Sequence, residues 1–370
     1  MPVKIFRKFR SFDWFLIINI LLLIFFGLAG LYSLQFNTIQ PDFSLFTKQV
    51  VFVLIGLILF FLFSFINHHF WGDYYKVVIL ISFLLLLFVL SLGITLGGTR
   101  GWFEIGGTNL QPVELVKLAL VIFLAKFFSL YAKDLKVLKY ILISGLITGV
   151  LIALVIFQPD FGSAMILLVI WTMIILVLPL KKSFYFKIFT LFIILAIIAW
   201  FFVFQDYQKD RILTFINPQN DPLGSGYNVT QSVIAVGSGQ AIGRGLALGS
   251  QSQLNFLPAQ ETDFIFAVIA EELGFVGAAI LLILFFSLFY RIFRILKEAH
   301  DDYSVFLILG ILTFLVVQLF INIGMNMGVA PIAGLPLPLV SYGGSSLIST
   351  LMALGIIHNI HLRNRDKYFS

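Results

Sequence analysis

The sequence contains no cysteine and few charges, and both shortages narrow what it can be. Without cysteine, the 370 residues form no disulfide and no zinc–thiolate site, and they offer no thiol nucleophile. Charged residues make up 11% of the chain and apolar residues 60%, whereas ordinary soluble domains carry about 25% charged residues. A soluble fold of this composition would lack polar surface. The composition therefore predicts a membrane protein.

Long apolar runs recur along the chain, and each approaches the length of about 20 residues that crosses a bilayer as a helix. The first run follows a basic start, Lys4 to Arg10, with no small-residue cleavage site in the usual short window. It is therefore predicted as a span and not as a signal peptide. This indicates an all-α polytopic protein with about ten spans. They are predicted at 13–34, 47–66, 75–96, 112–131, 138–157, 161–180, 184–205, 263–293, 304–328 and 345–362.

Lysine and arginine are distributed unequally between alternate loops, with seventeen in one set, five in the other and two inside the fourth span. Because basic loops remain in the cytoplasm, both termini are predicted to be cytoplasmic. The net charge of +6 then reflects topology, and no nucleic-acid partner is predicted. The inner set is Lys4, Arg7, Lys8, Arg10, Lys76, Lys133, Lys136, Lys139, Lys181, Lys182, Lys187, Arg291, Arg294, Lys297, Arg363, Arg365 and Lys367. The outer set is Lys48, Arg100, Lys209, Arg211 and Arg244.

The loop at about 206–262, between the seventh and eighth spans, is too long for a simple connection. It is also too apolar for a disordered segment. An apolar run, Val229–Val236, lies between glycines and predicts a short helix among turns on the outer membrane surface. We therefore expect one membrane domain, 1–370, with a large extracellular loop.

None of the five histidines falls on the predicted outer side, so proton transfer there must depend on carboxylates. Asp263 stands out because it joins a polar run to the apolar helix that follows. Apolar neighbours raise a carboxylate pKa toward the range of a general base. The same position suits a helix N-cap, a common structural role of aspartate. Position alone leaves both interpretations open.

A second candidate pair lies near the outer start of the fourth span. Glu114 and Lys117 are three residues apart and share a helix face. Charges at such depth either line a polar cavity or form an ion pair that locks helices together. Glu271 and Glu272 raise the same question in the eighth span, where at least one is expected to point inward.

Arg100 and Arg244 are outer cations next to glycine-rich backbone. Glycine lets backbone N–H groups approach an anion closely, so this combination suits a phosphate or pyrophosphate. A solvated arginine, or one that contacts lipid headgroups, fits equally. Trp102 is a candidate for substrate contact and also for anchoring at the membrane interface.

Several ordered motifs resemble the SEDS family (shape, elongation, division and sporulation), and within it the RodA branch. The resemblance covers essentially the whole chain. The matching stretches are Gly98–Phe103, Gln111–Lys117, Gln158–Gly162, Asn217-Pro218 with Asp221-Pro222, Gly226–Asn228 with Gln231-Ser232, Gln251–Pro258 leading into Thr262–Phe266, and Gly334–Ser346. The run before Asp263 is more similar to the elongation branch than to the division branch.

The resemblance implies a glycosyltransferase of the bacterial plasma membrane that polymerises lipid II into peptidoglycan outside the cell. It also implies a class B penicillin-binding protein as transpeptidase partner. Asp263 would be the catalytic aspartate, and Glu114 with Lys117 would line the central cavity. Arg100, Arg244 and Lys117 are the candidates for the pyrophosphate. No cofactor is certain, although a divalent cation would suit the pyrophosphate as well.

Two residues depart from the family pattern. Glu261 stands where histidine is usual, and Val113 stands where serine is usual. A carboxylate two residues from Asp263 would raise the pKa of Asp263 if the side chains approach. Two other functions remain open, a flippase for the same lipid-linked precursor and a catalytically silent scaffold of a wall-synthesis complex.

Overall fold

A computed structural model describes residues 12–368 except 37–41, 133–136, 199, 202–205, 218–220, 222–223 and 255. Several residues named above lie outside the described part. They are Lys4, Arg7, Lys8, Arg10, Lys133, Lys136, Pro218, Pro222 and Asn255.

The described residues are mainly helical, which confirms the predicted fold class. The helices are α1 (Trp14–Phe36), α2 (Ser44–Phe65), α3 (His68–Asp73), α4 (Tyr75–Leu92), α5 (Pro112–Tyr131), α6 (Val137–Ile156), α7 (Phe161–Leu176), α8 (Lys182–Ile198), α9 (Asp206–Ile216), α10 (Ser225–Ser238), α11 (Ser250–Gln253), α12 (Ile265–Lys297), α13 (Asp302–Asn326) and α14 (Gly344–Tyr368). The predicted short helix at Val229–Val236 is part of α10.

Each of the ten predicted spans overlaps one of these helices, and residues 199 and 202–205 of the predicted span 184–205 lie outside the described part. Seven of the described helices are long and apolar enough to cross a membrane, judged by length and composition. The other three, α5, α7 and α8, fall short for different reasons. Helix α5 carries Glu114, Lys117 and Lys126, while α7 has 16 residues and α8 has 17. The number of helices that cross therefore stays a prediction.

A small antiparallel sheet, absent from the prediction, connects α4 to α5. Its strands β1 (Ile94–Leu96), β2 (Thr99–Ile105) and β3 (Thr108–Leu110) lie in that order. Both turns are Gly-Gly pairs with positive φ, at 57° and 81° for Gly97 and Gly98 and at 58° and 72° for Gly106 and Gly107. Two consecutive residues of positive φ are what the tightest hairpin turn requires.

The bundle has two ends, which we name by His68 and Asp263. At the His68 end, Asn359 of α14 donates to the Ser64 carbonyl at 2.7 Å, and Arg291 of α12 pairs with Asp13. At the Asp263 end, Gln49 of α2 donates to the Ser341 carbonyl at 3.2 Å, and Gln111 before α5 donates to Asp160 at 3.1 Å. These contacts place the start of α1 and the end of α2 at the His68 end, and the starts of α2 and α5 at the Asp263 end. The topology across the membrane stays a prediction.

Helix α5 lies at the centre of the bundle. Its residues from Pro112 to Ala125 are buried with the exception of Leu115, including Glu114 and Lys117. It packs against α4, α7, α13 and α14. A helix that is apolar all round belongs in an interior, which explains why its two buried charges must find partners inside the protein.

Labelling with a membrane-impermeant maleimide tests which end faces outward, and the absence of native cysteine removes background. Asn109 in β3 and Ser183 at the start of α8 are both exposed, and the predicted topology puts them on opposite sides of the membrane. We expect Asn109→Cys to react in intact cells, and Ser183→Cys to react only after permeabilisation. The reverse pattern would place Asp263 in the cytoplasm and contradict an extracellular site.

Candidate active site

Asp263 lies in a tight turn immediately before α12. The backbone N–H groups of Thr262, Asp263 and Phe264 all point to the Ala259 carbonyl, at 3.2, 3.0 and 3.4 Å. The N-cap residue of α12 is Phe264, and no side chain caps this helix. The carboxyl group of Asp263 therefore does not serve as the helix cap, which leaves it free for chemistry.

Three consecutive carbonyl groups of this turn are each held by a donor from a distant segment. Tyr342 N donates to the Glu261 carbonyl at 2.8 Å, and Ser341 Oγ donates to the Thr262 carbonyl at 2.5 Å. The third carbonyl, that of Asp263 itself, accepts from two asparagines of α13. These are Asn322 at 3.0 Å and Asn326 at 2.9 Å. The turn is thus fixed from both sides, which is the rigidity that a positioned catalytic group needs.

The environment of the Asp263 carboxyl group shifts its protonation equilibrium. Burial raises the pKa of Asp263 to about 6, against the lowering effects of the Arg211 guanidinium and a hydrogen bond with Thr262. The negative charges of Glu261 and Asp160 raise this pKa further. A carboxylate with a pKa near the working pH is well suited to general-base catalysis.

Arg211 is a site residue that the motif analysis did not single out. It lies on α9, and its Nη1 donates to the Ile332 carbonyl at 3.5 Å. Two residues further on, Gly334 has φ +65°, and a Cβ there would lie 3.9 Å from Asp263 Oδ2. Arg211 and Asp263 therefore flank the same short segment between α13 and α14. Only the basic character of Arg211 in the outer loop signalled it in the sequence.

Glu114 and Lys117 belong to the same end of the bundle. Lys117 Nζ lies 2.7 Å from Glu114 Oε2, with 1% and 3% of the two side chains exposed. Their charges also act on Asp160, whose carboxyl accepts from Ser163 N at 3.0 Å. Burial raises the pKa of Asp160, with Lys117 opposing that shift. Because Asp160 in turn acts on Asp263, the structure connects the predicted pair to the candidate base through one buried carboxyl group.

The Lys117 ammonium has hydrogen-bonding capacity to spare. Its approach to Glu114 lies outside hydrogen-bond geometry, and among the described residues it has no other acceptor. An ammonium offers three donors, and leaving a buried donor unpaired carries a free-energy cost. A buried cation with unused donors is therefore suited to receive an anionic ligand.

Arg100 and Trp102 lie in the sheet beside this end. The Arg100 guanidinium donates to the Gly93 carbonyl at 3.3 Å and to the Ser91 carbonyl at 3.2 Å, so it stabilises the C-terminal end of α4. Its backbone N–H donates to the Gln158 carbonyl at 3.2 Å. The buried Trp102 Nε1 has no acceptor among the described residues. The structure brings neither side chain into contact with Asp263.

Arg244 lies in a glycine-rich segment that packs into a break in α12. Its side chain donates to the Ser238 carbonyl at 3.4 Å. The break is at Gly274 (φ 66°, ψ −164°), and Phe275 N and Val276 N donate to carbonyls of that segment at 2.8 and 3.0 Å. The glycines here permit backbone-to-backbone contact. The pyrophosphate role of Arg244 stays a prediction.

Glu271 and Glu272 are both buried and fasten the continuation of this segment. Glu271 accepts from Gln251 N at 2.8 Å and from Ser252 N at 3.0 Å, so it stabilises the start of α11. Glu272 accepts from Ser33 Oγ at 2.6 Å. Both carboxylates point inward, where they hold the loop that leads to the turn carrying Asp263.

Glycine substitutions test the packing of this segment. A Cβ on Gly274 would lie 2.2 Å from Gly243 N, and one on Gly243 would lie 2.1 Å from the Glu272 carbonyl. We expect Gly274→Ala and Gly243→Ala each to lower the thermal unfolding midpoint in detergent by several degrees, because backbone must move. Gly149→Ala is the matched control, since a Cβ there meets nothing within 4 Å. Unchanged midpoints in the first two variants would contradict the close contact.

The apolar helices define an integral membrane protein. Its candidate acid–base site is Asp263, a carboxyl group of raised pKa at the same end of the bundle as the buried pair Glu114 and Lys117. A family model described as cell cycle protein, which covers FtsW, RodA and SpoVE, matches residues 13–366. The chain therefore belongs to the FtsW/RodA/SpoVE family, which confirms the resemblance seen in its motifs. It is a multi-pass protein of the bacterial inner membrane.

Relatives and solved structures agree with this assignment. Stage V sporulation protein E of Bacillus subtilis is 35% identical over 366 residues, covering 97% of this chain and 99% of the relative. Peptidoglycan glycosyltransferase MrdB of Escherichia coli is 37% identical over 297 residues, 80% of this chain and 79% of the relative.

Two structural neighbours cover nearly the whole chain. One comes from a peptidoglycan synthase complex studied for the coordination of polymerization and crosslinking. It has a TM-score of 0.79 at 30% identity and covers 97% of this chain and 99% of its own. Rod shape determining protein RodA of Thermus thermophilus has a TM-score of 0.70 at 29% identity, with coverage of 96% and 98%.

Proposed function

We propose that this chain, a peptidoglycan glycosyltransferase by its family, polymerises lipid II into glycan strands with Asp263 as general base. The observation that carries the proposal is the Asp263 turn. It presents the carboxyl group of one partly exposed residue, with a pKa of about 6, on a backbone whose carbonyls are held by two other segments, α13 and the residues Ser341 and Tyr342. The predicted sidedness places this reaction on the outer face of the membrane.

The proposed reaction is an inverting transfer. Asp263 takes the proton from the 4-hydroxyl of the acceptor GlcNAc as that oxygen bonds to the anomeric carbon of the donor MurNAc. The bond from that carbon to undecaprenyl pyrophosphate breaks, and its electron pair leaves with the pyrophosphate. A single carboxylate suffices because the leaving group is already an anion. General-base catalysis of this kind contributes roughly 10²–10⁴ in rate.

The cations near the base divide into two groups. Arg211 and Lys117 act electrostatically on Asp263 or on its neighbour Asp160. Arg100 and Arg244 donate instead to carbonyls at the ends of helices. We therefore favour Arg211 and Lys117 for the developing negative charge of the pyrophosphate. A divalent cation that shares this role at the pyrophosphate belongs to the same proposal.

A transpeptidase partner is part of the proposal. A structural neighbour belongs to a peptidoglycan synthase complex that couples polymerization to crosslinking, and a class B penicillin-binding protein would supply the crosslinking here. Similarity to RodA supports a role in cell elongation. Because a sporulation relative is comparably similar, the cellular role is best tested by depletion, followed by measurement of cell length and width.

Purified protein reconstituted with lipid II tests the function itself. Glycan chains longer than the disaccharide support the polymerase. Transfer of lipid II across a sealed bilayer without polymer would identify a flippase and contradict the proposal. Neither product, in protein whose folding is verified by its thermal transition, would leave a scaffold role.

The pH dependence of kcat tests the assignment of the base. Asp263 must be ionised, so we expect kcat to fall as the pH drops through about 6, by about tenfold per unit below it. Glu261→Gln removes a neighbouring negative charge, which lowers the pKa of Asp263 and moves the midpoint to lower pH. Arg211→Gln removes a positive charge and moves it to higher pH, whereas Arg211→Lys keeps the charge. Shifts in the same direction in the two charge-removing variants would contradict the assignment.

A further inference from the structure

Two histidines and an aspartate meet at the His68 end, far along the bundle from the candidate base. His68 and His69 begin α3, and Asp301 precedes α13 as its N-cap. Each of the three offers one possible ligand atom, and these atoms all lie within 4.8 Å of one another. Among the described residues, no other group of this kind comes as close. His68 is buried, and the other two are partly exposed.

The hydrogen bonds of His68 fix which ring nitrogen carries the proton. Asn359 Nδ2 donates to the Ser64 carbonyl at 2.7 Å, so its Oδ1 faces His68. That oxygen accepts from the His68 backbone N–H at 3.0 Å and lies 3.0 Å from Nδ1. Because an amide oxygen only accepts, Nδ1 bears the proton. Burial favours the neutral ring, so Nε2 presents an unprotonated lone pair.

The group facing that lone pair has too few protons. Ser304 Oγ lies 2.9 Å from His68 Nε2 and 2.8 Å from Asp301 Oδ1. With its single proton donated to Asp301 Oδ1, this hydroxyl leaves the buried His68 Nε2 without a donor. A buried acceptor without a donor is costly, and a bound cation would satisfy both at once.

The ring of His69 completes the set. It packs against the His68 ring with centroids 4.2 Å apart, and no hydrogen bond engages its ring nitrogens within the described chain. The other oxygen of Asp301, Oδ2, accepts from Ser304 N at 2.9 Å, so Oδ1 can exchange the Ser304 hydroxyl for a metal without loss of the helix cap. An imidazole whose second nitrogen donates to a carbonyl-type oxygen is the usual arrangement of a metal-bound histidine.

We propose that His68 Nε2, a ring nitrogen of His69 and the Asp301 carboxylate bind a divalent transition metal, with Zn²⁺ the best match. Two imidazoles and one carboxylate are typical zinc donors, and water takes the remaining tetrahedral position. Ligand bonds of about 2.0–2.2 Å require side-chain movements of about an ångström. The ion would join α3 to α13 and, through Asn359, to α14. Its role is structural, and it does not depend on the proposed polymerase activity.

Metal binding is testable on the full chain purified in detergent with a tag other than polyhistidine. After chelator treatment and its removal, we expect calorimetric titration to show one Zn²⁺ per chain, matched by elemental analysis. Binding to the folded state alone raises the unfolding midpoint, and at 100-fold excess over Kd we expect a rise of about 3–4 °C. Absence of stoichiometric zinc would overturn the proposal.

Paired variants assign the ligands without loss of the fold. His69→Gln and Asp301→Asn should each weaken zinc binding at least tenfold. Asparagine caps a helix as well as aspartate does, so Asp301→Asn keeps the start of α13 intact. His300→Gln and Asp302→Asn remove neighbouring groups of the same types outside the cluster and should bind as the parent chain does. Unchanged binding in both ligand variants would show adventitious zinc elsewhere and would also overturn the proposal.

Discussion

Replacing Asp263 by asparagine should lower kcat for glycan polymerisation by about 10²–10⁴-fold, the contribution of a general base. Asparagine has the same shape but cannot take the proton. The turn should survive, because its structure depends on the Asp263 carbonyl and its neighbours and not on the carboxyl group. The measurement is the initial rate of polymer formation at saturating lipid II, with the unfolding midpoint recorded on the same sample.

Glu261→Gln is the matched control for that variant. It removes one carboxylate from the same turn, two residues away, and leaves the Glu261 carbonyl bound to Tyr342 N. We expect it to keep most of the activity at pH 8, where Asp263 is ionised with or without its neighbour. If Asp263→Asn keeps more than about a tenth of the parent rate, another group takes the proton. If both variants are inactive, the turn and not the base is responsible.

The spans were predictable because one physical requirement governs them. A helix that crosses a bilayer must be about 20 residues long and apolar, and the run at Trp14–Phe36 meets this without reference to any distant residue. Asp263 was predictable for a similar reason, since it marks the junction between a polar run and an apolar helix. Its freedom from capping was not predictable, because capping depends on the local path of the turn.

Other features depend on contacts between distant segments, which periodicity does not encode. The break in α12 at Gly274 exists because the segment around Gly243 packs against it. Arg211 joins the site only because α9 folds back onto the segment that carries Gly334. The sheet is different. Its two Gly-Gly turns, nine residues apart, are a local hairpin signal that the analysis of apolar runs passed over.

Glycine near arginine has two physical meanings, and the sequence did not separate them. The same residues that let backbone approach a phosphate also let two backbones approach each other. Around Arg244 the second meaning applies in the structure, since Gly239, Gly243 and Gly274 all lie against backbone atoms. A phosphate site and a tight backbone contact share one sequence signature, and only the fold distinguishes them.

Removing either member of the buried Glu114–Lys117 pair should destabilise the protein severely. Each single change, Glu114→Met or Lys117→Met, leaves an unpaired charge in the interior of α5. Breaking a buried pair in this way costs about 3–5 kcal/mol, so the unfolding midpoint in detergent should fall by about 4–6 °C. The double variant should recover most of that loss, because well-packed apolar residues replace a buried pair at little cost.

Lys126→Met provides the comparison within the same helix. Lys126 pairs with Asp73 at 3.3 Å, but the two side chains are 20% and 67% exposed. Exposed pairs contribute about 0–1 kcal/mol, so this variant should unfold within about 1–2 °C of the parent chain. A loss as large as that of Lys117→Met would mean that any lysine of α5 is needed for packing, and burial of the pair would not be the cause.

Activity of the double variant then decides what the pair is for. If Lys117 donates to the pyrophosphate, Glu114→Met/Lys117→Met should be stable and inactive, because apolar side chains restore the packing but not the charge. If the pair only locks α5 into the bundle, stability and polymerisation should return together. The Lys117 ammonium has donors that no described residue accepts, which favours the first result. Recovery of both properties would remove Lys117 from the site.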